Sequence, residues 1–167
     1  MASGDSLLLF TPLHFEPPAT NPARLVIEAN DHPALAFSAS TPNLDAVFSS
    51  VMPQHYADGG VTVYLYYAMA SAATGNIDWD VAFERMLDGT FDFDTAAGFA
   101  SAQSVDDTNV PTGSAGVLDV VSIAFTNGSQ MDSVVAGDAF RLKVTRDGIS
   151  DTATGDAHLV RVEIRET

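Results

Sequence analysis

The chain has 167 residues, with 22 acidic against 7 basic side chains, a formal charge of −15 and no cysteine. That length is one domain, and 46% hydrophobic residues are enough for a real core. The charge repels phosphate backbones and anionic bilayers, so no nucleic acid and no membrane is expected as a partner, and the missing cysteines exclude thiol catalysis, disulfides and Cys-ligated zinc.

Residues 1–23 read as an arm. Leu7, Leu8, Leu9 and Phe10 form one short apolar run, and Pro12, Pro17, Pro18 and Pro22 follow. Proline lacks the N–H and biases its predecessor toward extended backbone, so no long helix forms here. The start, Met1 to Asp5, lacks the basic region of a signal peptide. From residue 24 to 167 the chain reads as one β domain. Residues 24–28 and 34–37 are short apolar runs separated by the turn cluster Asn30, Asp31, His32 and Pro33. Residues 44–51 are a further strand, with helix as the alternative. Val61, Val63, Leu65 and Tyr67 alternate with Thr62, Tyr64 and Tyr66, which predicts a central strand covered on both sides. Trp79, Val81 and Phe83 are expected inward, with Asp78, Asp80 and Glu84 outward; a helix over 80–87 is the competing reading.

Residues 88–114 read as long loops with strand fragments. Val117, Val121, Ile123 and Phe125 share the next strand, and residues 129–135 suit one helical turn. Phe140, Leu142 and Val144 alternate with Arg141, Lys143 and Thr145. The last strand, 157–165, has His158, Val160, Val162 and Ile164 on one face and Leu159, Arg161, Glu163 and Arg165 on the other. Paired as neighbours, the last two strands would set Arg141 and Lys143 against Glu163, at roughly 0.2–1 kcal/mol per pair. Seventeen Asp against five Glu, and a single lysine, favour turns over helix surfaces. Regularly spaced strands without a long helix predict an antiparallel β-sandwich or barrel, of which the sandwich is adopted. A dense carboxylate surface also fits salty surroundings.

Sites are sparse. No Walker loop, HExxH or GxSxG is present, and His14, His32, His55 and His158 follow no ligand spacing. Asp78/Asp80 and Asp92/Asp94 are Asp-x-Asp pairs. On a strand such carboxylates share a face about 7 Å apart, suited to calcium or glycoside hydrolysis, or simply to a solvated acidic face. Asp106 and Asp107 form a third such group. Tyr64, Tyr66 and Tyr67 offer a sugar-stacking platform or plain core. Asn127-Gly128-Ser129 matches a glycosylation sequon, and equally a turn. No catalytic residue and no cofactor is expected.

Residues 53–166 resemble short tailed-phage virion proteins with jelly-roll-like β-sandwich folds. The likeness rests on Tyr56-Ala57-Asp58-Gly59-Gly60, on Thr74 to Glu84 (TGNIDWDVAFE), on Phe125 to Asp132 (FTNGSQMD), on Ala136 to Leu142 (AGDAFRL), and on Ser150-Asp151-Thr152 followed by Gly155 to Ile164. The resemblance implies a non-enzymatic capsid decoration (cement) protein, located in the virion after assembly in the host cytoplasm. Its partners would be the major capsid protein and copies of itself, as a trimer. A carbohydrate- or receptor-binding module of a tail fibre is the alternative. In either case Leu7, Leu8, Leu9, Phe10, Leu13 and Phe15 are the candidate partner contacts, at about 1.5–3 kcal/mol each on burial, or else they complete the chain's own sandwich.

Overall fold

The computed structural model describes residues 4–29, 31–41, 43–71, 74–95, 98–107 and 115–167. The loop expected at 108–114, positions 96 and 97, and Asn30 of the first turn lie outside these residues.

Ten strands are present: β1 (Ser6–Phe10), β2 (Arg24–Glu28), β3 (His32–Phe37), β4 (Leu44–Val51), β5 (Val61–Met69), β6 (Ile77–Met86), β7 (Gln103–Asp107), β8 (Leu118–Phe125), β9 (Ala139–Arg146) and β10 (Ala157–Glu166). They form two antiparallel sheets. One runs β2-β3-β10-β5-β8 with β1 also on β10, and the other runs β4-β9-β6-β7. The only helical elements among the described residues are single 3-10 turns at Pro12–His14 and Ser129–Met131. This is the antiparallel sandwich expected from the alternation.

The core lies between the sheets. From β5 it takes Val61, Val63, Leu65, Tyr67 and Met69, and from β6 Ile77, Trp79, Val81 and Phe83. Trp79 meets Phe37 edge-on at 5.0 Å and Tyr67 at 5.5 Å, contacts worth about 0.5–1.5 kcal/mol each beyond burial. The loop before β5 is tied by Gly60, whose N–H donates to the Tyr56 hydroxyl at 3.0 Å. Gly60 has φ +115°, and a Cβ there would lie 2.6 Å from the Phe125 carbonyl oxygen, so the position admits only glycine.

Arg146 ends β9 with its side chain in the core, 1% exposed. Its guanidinium donates to Asp151 and to the backbone carbonyls of Phe37, Ala153 and Gly155. It therefore ties the four-stranded sheet to β3 of the six-stranded sheet and to the loop that leads into β10. A buried charge is tolerable only with partners of this kind.

Several expectations need correction. The last two strands are not neighbours: β9 lies between β4 and β6, and β10 lies in the other sheet. Arg141 pairs instead with Glu84 at 2.8 Å. That contact, with the Gly98 N–H, covers an outward Glu84 until it is 2% exposed. Lys143 sits over the Phe99 ring at 5.0 Å. The faces of β10 also depart from strict alternation. Leu159 pairs with Tyr67 and Arg161 with Tyr66, so Val160 is an extra residue, a β-bulge. Ala157 and Leu159 point inward before it, and Val162 and Ile164 after it. His158 thus faces out and Leu159 in, opposite to the expectation.

The segment expected as an arm is built into the fold. β1 pairs with the C-terminal half of β10, and β3 pairs with the N-terminal half of the same edge. Leu7 and Phe10 are buried in the core, and Leu8 and Phe15 pack against it. Leu9 and Leu13 stay 47% and 69% exposed. The proline-rich stretch then crosses to the other sheet and lies along β4, where the Glu16 N–H donates to Val47 and the Ala23 N–H to Asp45, both at 2.8 Å. Two isolated bridges cap an edge that would otherwise be open. Smaller departures are that β3 starts at His32 rather than 34, and that β8 starts at Leu118, leaving Val117 exposed.

Trp79→Ala is expected to lower stability by about 3–5 kcal/mol, read by denaturant unfolding. The emission of this sole tryptophan should be blue-shifted in the native state, and an exposed-type spectrum would reject this strand register.

Candidate functional site

The outward face of the six-stranded sheet carries the most organised polar chemistry of the described residues. Register places Tyr64 between Glu163 and Ser122, and Tyr66 between Arg161 and Val120. The outward residues of β5 are half-buried, not covered, so β5 is central but has an open outer side. Tyr67 points the other way, into the core. The expected tyrosine trio therefore divides into two outward rings and one core ring, as period-two alternation requires, with neighbours on opposite faces.

The two outward rings are locked by charge. The Tyr66 hydroxyl donates to Glu163 Oε2 at 2.7 Å, and Arg165 Nη2 donates to the same oxygen at 2.8 Å. Arg165 also reaches the Tyr66 oxygen at 3.2 Å and stacks over Tyr64, 4.2 Å from the ring centroid. The Arg165 hydrogen bond, with that from Tyr66, holds the Glu163 carboxyl down at about 2. The same bond to Glu163 pushes the Tyr66 phenol up, and the Arg165 guanidinium is also raised.

Beside Tyr66 lies a groove of about 550 Å³. Its floor crosses the sheet from Leu118 of β8 and Tyr66 of β5 to Val160 and Arg161 of β10, and Thr11, Pro12, His32 and Pro33 line the side of β1 and β3. The bulge makes this floor, because it turns Val160 and Arg161 outward in succession. A second depression of about 450 Å³ adjoins it, sharing His32, Val160 and Leu118. Glu28, the one carboxylate among the described residues that border it, pairs with His158 at 3.3 Å. Volumes of this size, mostly apolar with a few fixed polar groups, suit small-molecule or oligomer recognition.

The aspartate pairs are not assembled into a centre. Asp78 and Asp80 lie on the outer face of the other sheet, where Ser104 donates to Asp80. Burial pushes the Asp78 carboxyl up, and the nearby Asp80, Asp147, Asp106 and Asp151 add to this. Asp92 and Asp94 lie after β6 in an exposed turn, not on a strand; there Asp92 accepts from the Asp94 N–H at 2.9 Å. Among the described residues no group of three or more His, Asp or Glu is disposed to hold a metal ion. The Asn127 side-chain amide is occupied, donating to the Asp58 carbonyl of the loop before β5 at 2.8 Å.

No protein-family model and no curated protein matches the sequence. Solved structures do share the fold. A carbohydrate-binding module of type CBM36, solved with calcium and xylotriose, aligns with TM-score 0.52 at 12% identity over 95% of this chain and 99% of its own. The xylan-binding module CBM15 aligns with TM-score 0.53 at 9% identity over 96% and 97%. An arabinose-bound GH51 α-L-arabinofuranosidase aligns with TM-score 0.56 at 10% identity, and the chain spans 23% of that enzyme's length. At such identities the likeness establishes the fold. The chain is a jelly-roll β-sandwich. These neighbours have no bearing on the expected capsid partner, virion location or trimer.

Because Glu163 titrates below its usual 4.5, the network's stabilisation is complete above that value and is lost as pH falls toward about 2. Glu163→Gln is therefore expected to lower the melting temperature at pH 7, with the gap to wild type closing between about pH 5 and 2. Thermal melts of both proteins across that range check it; a gap that does not change with pH would count against the network.

Proposed function

We propose that the chain is a non-catalytic carbohydrate-binding module that holds a neutral saccharide in the groove beside Tyr66. The observation that carries this is the ring itself. Tyr66 is immobilised through its hydroxyl, so its face can meet the C–H side of a sugar without a further loss of side-chain freedom. Arg161 and His32 line the same groove and supply the polar groups that hydroxyl recognition needs. The fold shared with xylan-binding modules supports the same reading.

Catalysis is disfavoured by the same residues. Glycoside hydrolysis uses two carboxylates, one of them a raised general acid. Glu163 is held well below that range, and Glu28 lies 3.3 Å from His158 with its side chain 45% exposed, not in the apolar surroundings that raise a general acid. The charge of −15 repels polyanionic glycans at long range, which leaves neutral polymers. The capsid-decoration alternative has no comparable feature in its favour, since Leu7 and Phe10 are used inside the fold.

The test is affinity electrophoresis and calorimetry with soluble xylan, β-glucan, mannan and galactan. One of these is expected to retard the wild-type protein, and Tyr66→Ala to weaken that binding at least tenfold, about 1.4 kcal/mol, without loss of the folded spectrum. Undiminished binding by Tyr66→Ala, or no binding to any neutral polymer, would overturn the proposal.

A further inference from the structure

Strand β2 ends the six-stranded sheet. One of its edges pairs with β3, and among the described residues no strand pairs with the other. An open edge offers its N–H and C=O groups to another chain, and proteins commonly blunt it with lysine, proline or a bulge. β4 is treated in that way by the proline-rich segment. β2, with the sequence RLVIE, has none of these devices, and its register with β3 runs without a shift. Leu25 and Ile27 share a face with the core residue Leu35, yet they are 45% and 61% exposed because the second sheet does not reach them.

These five residues are complementary to themselves. In an antiparallel pairing about a two-fold axis at Val26, Arg24 stands opposite the partner's Glu28 and Glu28 opposite the partner's Arg24. Both ion pairs lie on the outer face. On the inner face Leu25 stands opposite the partner's Ile27 and Ile27 opposite the partner's Leu25, so four exposed apolar side chains cover one another. Directly opposed unlike charges and aliphatic pairs stabilise antiparallel strands, and a two-fold interface requires such self-matching. We propose that β2 is a homodimer interface, which joins the six-stranded sheets of two copies edge to edge. The charge of −15 on each copy opposes association at low ionic strength, so the dimer strengthens with salt.

Sedimentation at tens of micromolar in 0.15 M salt, where the screening length is about 8 Å, tests this. Wild type is expected to run as a dimer. Arg24→Glu and Glu28→Arg each place like charges opposite one another and are expected to run as monomers, at least tenfold weaker in association. Mixed in equal amounts, the two variants regain opposite charges across the axis and should return to a dimer. Ile27→Lys, at an exposed position, should keep its melting behaviour and dissociate. A wild-type monomer or trimer, charge variants that still dimerise, or a mixture that stays monomeric would each overturn the proposal.

Discussion

Between Leu159 and Arg161 the last strand carries one residue more than β5 opposite it, and both the sheet and its groove depend on that extra residue. One edge of β10 must serve two partners, β3 along its first half and β1 along its second. A bulge accommodates this by bending the strand and raising its local twist. It also resets the inward phase, so Ala157 and Leu159 before it, and Val162 and Ile164 after it, all enter one core. Without the reset, half of the strand would turn its apolar side chains to water. The cost is one outward dipeptide, Val160-Arg161, and that dipeptide floors the groove next to Tyr66.

Two charged clusters steady the sandwich on either side of this strand. Inside, Arg146 collects one carboxylate and three carbonyls from two parts of the chain, β3 and the loop feeding β10, which fixes that loop. Outside, Glu163 gathers Tyr66 and Arg165 and sets the tyrosine rings. Both are networks in which each charge has a partner, the condition under which buried or half-buried ions are tolerated. The remaining surface is strongly acidic, and at Asp78 burial, with the neighbouring Asp80, Asp147, Asp106 and Asp151, raises the carboxyl.

Much of this fold is legible in the sequence, because strand alternation and turn chemistry are local. The inward set of β5 and of β6, from Val61 to Phe83, follows from a period of two, as does the choice of strand over helix at 44–51 and 77–86. Sheet assignment is not local. Adjacent strands 139–146 and 157–166 suit a hairpin by charge, yet the loop anchored by Arg146 carries the chain across to the other sheet. Nor does the sequence announce a bulge: one added residue in a run of Leu159, Val160 and Val162 leaves the hydrophobic pattern nearly intact. The proline-rich start misleads for a related reason, since prolines exclude helix but leave open whose edge they cover. Of the site, alternation separates Tyr64 and Tyr66 from the inward set of β5, but β-formers on both faces read as a strand covered on both sides, so the open outer face is not legible. Glu163 and Arg165 look like ordinary solvated alternation until β10 lies beside β5. The calcium reading of Asp78, Asp80, Asp92 and Asp94 followed from spacing alone, and the fold separates the two pairs.

Saccharide recognition at the groove rests on one face of one sheet, and a map of amide and arginine side-chain NMR shifts during titration with xylotriose, or with the oligomer of whichever polysaccharide binds, locates it directly. Binding beside Tyr66 predicts shifts confined to His32, Tyr66, Leu118, Val160 and Arg161 and their neighbours. Shifts concentrated around Phe99, Arg141 and Lys143 on the opposite sheet, with the Tyr66 face unmoved, would contradict it.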